Sequence, residues 1–218
     1  MKSMWLTRGG AAAVLVAAIL SSGCGDFVRG SRSPSQLVIV GLGTPARVDR
    51  ELQGGTGVPG SIVPVAGYTP GPLYSDVPSN SEPAFQDVGE ANLGVILKDP
   101  GASGALATPS SLNAVTITRY TVTYKRSGGP TGQNIPGVDV PHPIDGALTL
   151  TIPAGGTGKG FFELVRHTAK REAPLAAVGN GTIVLTMIAD VTFYGRDQAG
   201  NAVSATGNVQ IIFGNFSQ

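Results

Sequence analysis

From about residue 90 the chain alternates apolar and polar positions with a period of two. Leu185, Met187, Ala189, Val191 and Phe193 are separated by Thr186, Ile188, Asp190, Thr192 and Tyr194. A second run follows the Arg196–Asn201 connector, through Val203, Ala205, Gly207, Val209, Ile211 and Phe213. Ala91, Leu93, Val95 and Leu97 form a third run, and Leu148, Leu150 and Ile152 a fourth. Successive side chains point to opposite faces of a strand, so each run predicts a strand buried on one face. Val115 and Ile117 share one parity, whereas Tyr120, Val122 and Tyr124 share the other. A switch of parity around Thr118–Arg119 predicts a β-bulge or a change of strand partner. The Asp197–Asn201 connector carries the Asp, Gly and Asn residues that a hairpin turn requires.

The first half of the chain reads differently. Gln36–Leu42 is a β-branched run of strand length and predicts the first strand. From Thr44 to about Gly89 seven prolines interrupt the chain, with many Gly and Ser between them. Each proline fixes φ and removes a donor, so regular helix is not expected there. Short extended pieces are expected near Ser61–Ala66 and Leu73–Val77. The stretch as a whole, residues 44–89, is expected to lie irregularly over the body. Phe161, Leu164, Val165 and Ala169 stand at helical spacing ahead of Pro174. The expectation is a strand near Gly160–Val165, then a short helical turn around His167–Leu175. His167, Arg166 and Lys170 read as a charged surface turn. At least seven short strands with turn-rich connections imply an all-β antiparallel sandwich.

The N-terminus carries a different pattern. Lys2 and Arg8 precede an unbroken apolar run, Ala11–Leu20, then Ser21, Ser22, Gly23 and Cys24. Positive start, apolar centre and small-residue end are the order of a secretory signal. Ten apolar residues are too few for a bilayer span, which needs about 20. The Cys24 neighbourhood resembles the lipobox of bacterial lipoproteins, in which cleavage precedes a cysteine that receives lipid. Ser21 stands where that pattern has Leu, and Leu20 is one residue further out. Gly25 follows the cysteine and Asp26 comes one later, which resembles sorting to the outer membrane. The resemblance implies a signal peptide over 1–23, a lipidated Cys24 with a tether over 24–35, and one β-sandwich domain over 36–218.

Composition sharpens this picture. The chain has 218 residues, 32 of them Gly and 16 Pro, well above average usage. The length suits one domain, or one domain with irregular additions. Removing residues 1–23 takes away Lys2 and Arg8 and moves the formal net charge from +1 to −1. Nothing in that balance is a basic footprint for nucleic acid. Cys24 is the single cysteine, so neither an internal disulfide nor a cysteine metal cluster is available.

Two further resemblances concern the body. Ile117-Thr-Arg-Tyr120-Thr-Val122-Thr-Tyr124 resembles the central strand of fibronectin type III modules (Ile-x-x-Tyr-x-Val-x-Tyr). It implies an immunoglobulin-like sandwich. Residues 88–216 resemble a set of uncharacterised bacterial lipoproteins through several motifs. These include Val-Thr-Ile-Thr-Arg-Tyr at 115–120, Pro-Gly-Val-Asp-Val-Pro at 136–141, Phe-Glu-Leu-Val-Arg-His at 162–167 and Lys-Arg-Glu-Ala-Pro-Leu at 170–175. Thr-Phe-Tyr-Gly-Arg-Asp-Gln-Ala-Gly-Asn at 192–201 and Phe-Gly-Asn-Phe at 213–216 complete them. That resemblance implies the address and the fold and adds no chemistry.

Candidate chemistry is sparse. Gly41-Leu-Gly43-Thr-Pro-Ala46 fits G-x-G-x-x-A, yet Gly54, Gly55 and Gly57 would end the helix that a dinucleotide site needs. Gly155-Gly-Thr-Gly-Lys159-Gly160 has Pro153 in place of the first phosphate-loop glycine, and Gly160 in place of Ser/Thr. It reads as a turn between strands. Asp139, His142 and Asp145 lie three apart and are weak candidates for a divalent ion. Asp190, Asp197 and Asn201 invite a similar calcium reading, although turn hydrogen bonding accounts for the last two. Neither a G-x-S-x-G elbow nor a paired acid/base signal is present. Tyr68, Tyr74 and Phe85 lie in the Pro/Gly-rich stretch; they read first as rings that pin this segment to the sandwich, and, if exposed, would suit a glycan or a peptide. The expectation is an exported envelope protein without catalysis or cofactor, held to the membrane by lipid on Cys24, that binds an envelope protein or glycan or acts structurally. A carbohydrate- or peptide-binding accessory is the alternative, and a hydrolase the third.

Overall fold

A computed structural model describes residues 33–44, 72–79, 81–99, 101–102, 105–126, 134–181 and 183–216. Cys24, Tyr68 and the piece expected at Ser61–Ala66 lie outside the described residues.

The described chain is mostly β. One sheet has three strands, in the order β1 (Ser35–Gly43), β3 (Asp87–Leu97), β8 (Thr157–Val165). The other has five, in the order β2 (Leu73–Asp76), β10 (Ala202–Gly214), β9 (Leu185–Asp197), β6 (Val115–Arg126), β7 (Ile144–Ile152). This sheet curls into half a barrel. It meets the smaller sheet on both sides, with β1 along β10 and β7 beside β8. β4 (Gly101–Ala102) and β5 (Ala105–Leu106) form a separate two-residue ladder.

The period-two runs explain the core. Leu93, Ile117, Ile152, Leu164, Met187, Phe193, Ile211 and Phe213 are completely buried and belong to one cluster that draws on both sheets. Burying a side chain of this kind contributes about 1.5–3 kcal/mol. A core of this extent needs no crosslink. The parity switch in β6 is a bulge. Register shifts between Ile117 and Arg119 against both β7 and β9. Val115 and Ile117 therefore face inward before it, and Tyr120, Val122 and Tyr124 after it.

The two tyrosines tie the sheets together. β8 carries its own irregularity, because Asp87 pairs with Val165 while the next residue, Val88, pairs with Glu163. Leu164 is left without a ladder partner, and its carbonyl accepts the Tyr124 hydroxyl at 2.7 Å. The Glu163 amide donates to the Tyr120 hydroxyl at 3.1 Å. A buried backbone group without a partner costs about 1–3 kcal/mol, so the phenols satisfy what the bulge exposes. Burial pushes both phenols above the ordinary tyrosine range.

One pairing departs from the antiparallel expectation. β2 runs parallel to β10, from Leu73 opposite Ile211 to Asp76 opposite Gly214. It comes from the expected extended piece near Leu73–Val77, and Val77 continues the pairing with a bond from its amide to the Gly214 carbonyl. β2 and β10 are separated by most of the chain, so no tight turn links them and the antiparallel direction that a hairpin imposes does not apply.

The segment after β8 forms a 3-10 turn at Ala169–Arg171 and a single helical turn, α1 (Ala176–Gly179). Here the surface-turn expectation needs correction. His167 is exposed, but Lys170 is buried at 3% exposure, and its Nζ lies 2.9 Å from Asp87 Oδ2. The Ser75 hydroxyl donates to the same oxygen at 2.6 Å. Lys170 can sit inside because Asp87 of β3, itself held by Ser75 of β2, compensates its charge. Arg171 donates to the carbonyls of Pro78, Ser79 and Glu82, which fixes the chain between β2 and β3.

Candidate functional site

The β6 bulge also builds the most distinctive surface feature. It turns Arg119 outward, opposite Ala147 on β7 and Tyr194 on β9. The guanidinium makes a two-pronged contact with Asp145: Nε to Oδ1 at 2.7 Å and Nη2 to Oδ2 at 2.6 Å. Its Cζ stands 5.1 Å from the centre of the Tyr194 ring. The hydrogen bonds from Arg119 hold the Asp145 carboxyl below its usual range, and those same bonds raise Arg119. Both side chains are more than half exposed, so the pair fixes orientation rather than adding much stability.

Beside this pair opens a groove of about 720 Å³, within the range of small-molecule sites. Thr118 and Arg119 line it from β6, and Tyr194, Gly195 and Arg196 from β9. The start of β10 supplies Val203 and Ser204, the start of β1 Gln36 and Leu37, and Lys98 follows β3. Gly195 is required by close approach. A Cβ there would come 2.5 Å from the Thr116 carbonyl oxygen, where the bulge presses β6 onto β9.

The entry of the chain into the body is fixed next to this groove. The Pro34 carbonyl accepts the Lys98 amide at 2.9 Å, and the Ser35 hydroxyl donates to the Asn113 carbonyl at 2.7 Å. Asp197 closes the β9–β10 hairpin. It accepts the Asn201 amide at 2.8 Å, the Asn201 side chain at 2.9 Å and a bond from Ser33. Burial acts to raise this carboxyl, but those hydrogen bonds outweigh it and hold it below the usual range. A depressed carboxyl contributes stability above its unfolded pKa, about 3.9, and loses it as pH falls through the folded value. Asp197→Asn is therefore expected to destabilise at neutral pH, with the gap to wild type closing below about pH 3.9. Urea titrations across that range check it; a gap independent of pH would contradict it.

The residues singled out in the sequence fall elsewhere. Asp139 Oδ2 accepts the Ile135 amide at 3.1 Å inside a tight turn. The His142 ring lies against Gly137, where a Cβ would come 2.6 Å from its Nε2. Asp145 is engaged by Arg119. Among the described residues, no group of three or more His, Cys, Asp or Glu is placed to hold a metal ion. Asp190 pairs with Lys125 at 2.5 Å, apart from the Asp197–Asn201 turn. Gly155, at φ +72°, and Gly156 form the turn between β7 and β8, with hydrogen bonds to Val95. Gly41 and Gly43 lie inside β1. Tyr74 is 58% exposed on edge strand β2, edge-to-face with Phe216 at 6.0 Å, and Phe85 is 73% exposed. Neither Tyr74 nor Phe85 lines the groove.

Motif reasoning does not single out Arg119, Tyr194, Arg196 or Lys98. A signal is nevertheless present. Tyr194 and Arg196 are large side chains at outward parity beside Thr192, Thr206 and Ser204 on neighbouring positions of β9 and β10. No protein-family model and no curated protein sequence matches the chain.

Proposed function

We propose that the protein is an exported, lipid-anchored module of the bacterial cell envelope that binds a partner, an envelope protein or a glycan, without transforming it. The order of the N-terminus carries this reading: a positive start, the Ala11–Leu20 apolar run, and Cys24 at the junction with small residues. Lipid on Cys24 would supply membrane affinity of about 0.8 kcal/mol per buried CH₂, so the body needs no membrane surface of its own. The body is read as an immunoglobulin-like sandwich. That reading is supported by the Ile117–Tyr124 pattern, whose Tyr120, Val122 and Tyr124 are buried between the two sheets. The proposed location is the outer membrane, in keeping with Gly25 and Asp26 after the cysteine. The groove beside Arg119 and Tyr194 favours a binding role over a purely structural one, because it combines concave shape with a fixed cation and a ring.

Cell fractionation tests the reading. The wild-type protein is expected in the outer-membrane fraction and released only by detergent, and Cys24→Ser in the soluble or uncleaved form. Wild-type protein that washes off the membrane in salt would contradict it.

A further inference from the structure

We infer that the groove between β1, β9 and β10 is a binding site for an acidic saccharide, with Arg196 as its principal anion contact. The inference rests on the binding-module reading and names the ligand class. Three cationic side chains, Lys98, Arg119 and Arg196, line one cavity of about 720 Å³. Arg119 is already committed to Asp145 and the Tyr194 ring. Arg196 is exposed and has no ion pair among the described residues. A guanidinium without a carboxylate is a planar fork of donors that matches a carboxylate or a phosphate group.

The rest of the lining selects a sugar over a bare ion. Thr118, Ser204 and Gln36 are exposed and offer hydroxyl and amide groups to saccharide hydroxyls. Leu37 and Val203 also line the cavity but are largely buried, so they leave only a small apolar edge there. The Arg119–Asp145 pair keeps one wall rigid, which lowers the ordering cost of binding. Tyr194, under the Arg119 guanidinium, completes that wall.

The position of the groove agrees with an envelope ligand. Ser33 and Ser35 enter the fold beside it, nine residues after Cys24 at Ser33. A chain of that length spans at most about 30 Å, so an anchored protein holds the groove near the membrane surface.

Calorimetry on the protein as purified from cells in detergent tests this, with trigalacturonate, glucose 6-phosphate, maltotriose and inorganic phosphate as probes. Trigalacturonate or glucose 6-phosphate is expected to bind, with the affinity falling as salt rises. Arg196→Gln should weaken that binding roughly tenfold, the size of one charge-assisted contact, with an unchanged melting temperature. Which of the two probes binds distinguishes a carboxylate from a phosphate ligand. Equal affinity in wild type and Arg196→Gln, no binding of either acidic probe, or equal binding of maltotriose would overturn the inference. Inorganic phosphate binding as tightly as the acidic sugars would overturn it too. Maltotriose binding alone would overturn the acidic ligand and leave the binding module standing, and the lipid anchor is tested separately by fractionation.

Discussion

Replacing Lys170 with Met is expected to destabilise the protein by about 3–5 kcal/mol, the usual loss when one partner of a buried ion pair is removed. Lys170 and Asp87 are each 3% exposed at the side chain, with Nζ 2.9 Å from Oδ2. The carboxylate left inside the fold would keep the Ser75 hydroxyl on Oδ2 but lose its compensating charge. The 3-10 turn would lose its ionic link to β3, whereas β2 would stay joined to β3 through Ser75 and Asp87. The double variant Lys170→Met with Asp87→Asn is expected to recover most of the loss, because the amide is neutral and its oxygen still accepts from Ser75. Urea unfolding reads both values. A single-variant loss below about 1 kcal/mol would show that the pair is not buried as described.

Phe193→Ala is expected to cost a similar amount, about 3–5 kcal/mol. Phe193 is completely buried on β9 and stands edge-to-face with Phe162 at 5.4 Å. Phe162, on β8 of the other sheet, lies 5.3 Å from the Tyr120 ring on β6. The three rings join the two sheets, so truncating Phe193 opens a cavity between them. Phe161→Ala is the matched control. It is the neighbour of Phe162 on β8 but 54% exposed, and its loss should fall within about 0.5 kcal/mol. Equal losses for the two substitutions would contradict this assignment of inward and outward faces.

The fold is legible where strands obey local rules. The alternation of Leu185–Tyr194 and Val203–Phe213 marks β9 and β10, and the five inward residues of β9 from Leu185 to Phe193 are all buried. The β6 bulge is legible as a change of parity, because a residue inserted in one strand shifts every later side chain to the other face. The parallel pairing of β2 is not legible, since β2 and β10 lie far apart in the chain and no local pattern sets their relative direction. Lys170 reads locally as one charge among Arg166, His167 and Arg171. Its burial follows from Asp87, 83 residues earlier, which no local pattern connects to it. The same holds for the groove. Arg119 and Arg196 are ordinary outward residues until the β6–β9 register sets them at the same cavity. The carboxylates that look like ligands in sequence are instead used by turns and by Arg119.

Lipid attachment at Cys24 is the claim on which the anchored-module account depends. Labelled palmitate fed to expressing cells tests it most directly. The account predicts label in the wild-type protein and none in Cys24→Ser. Equal label in both, or none in either, would contradict it.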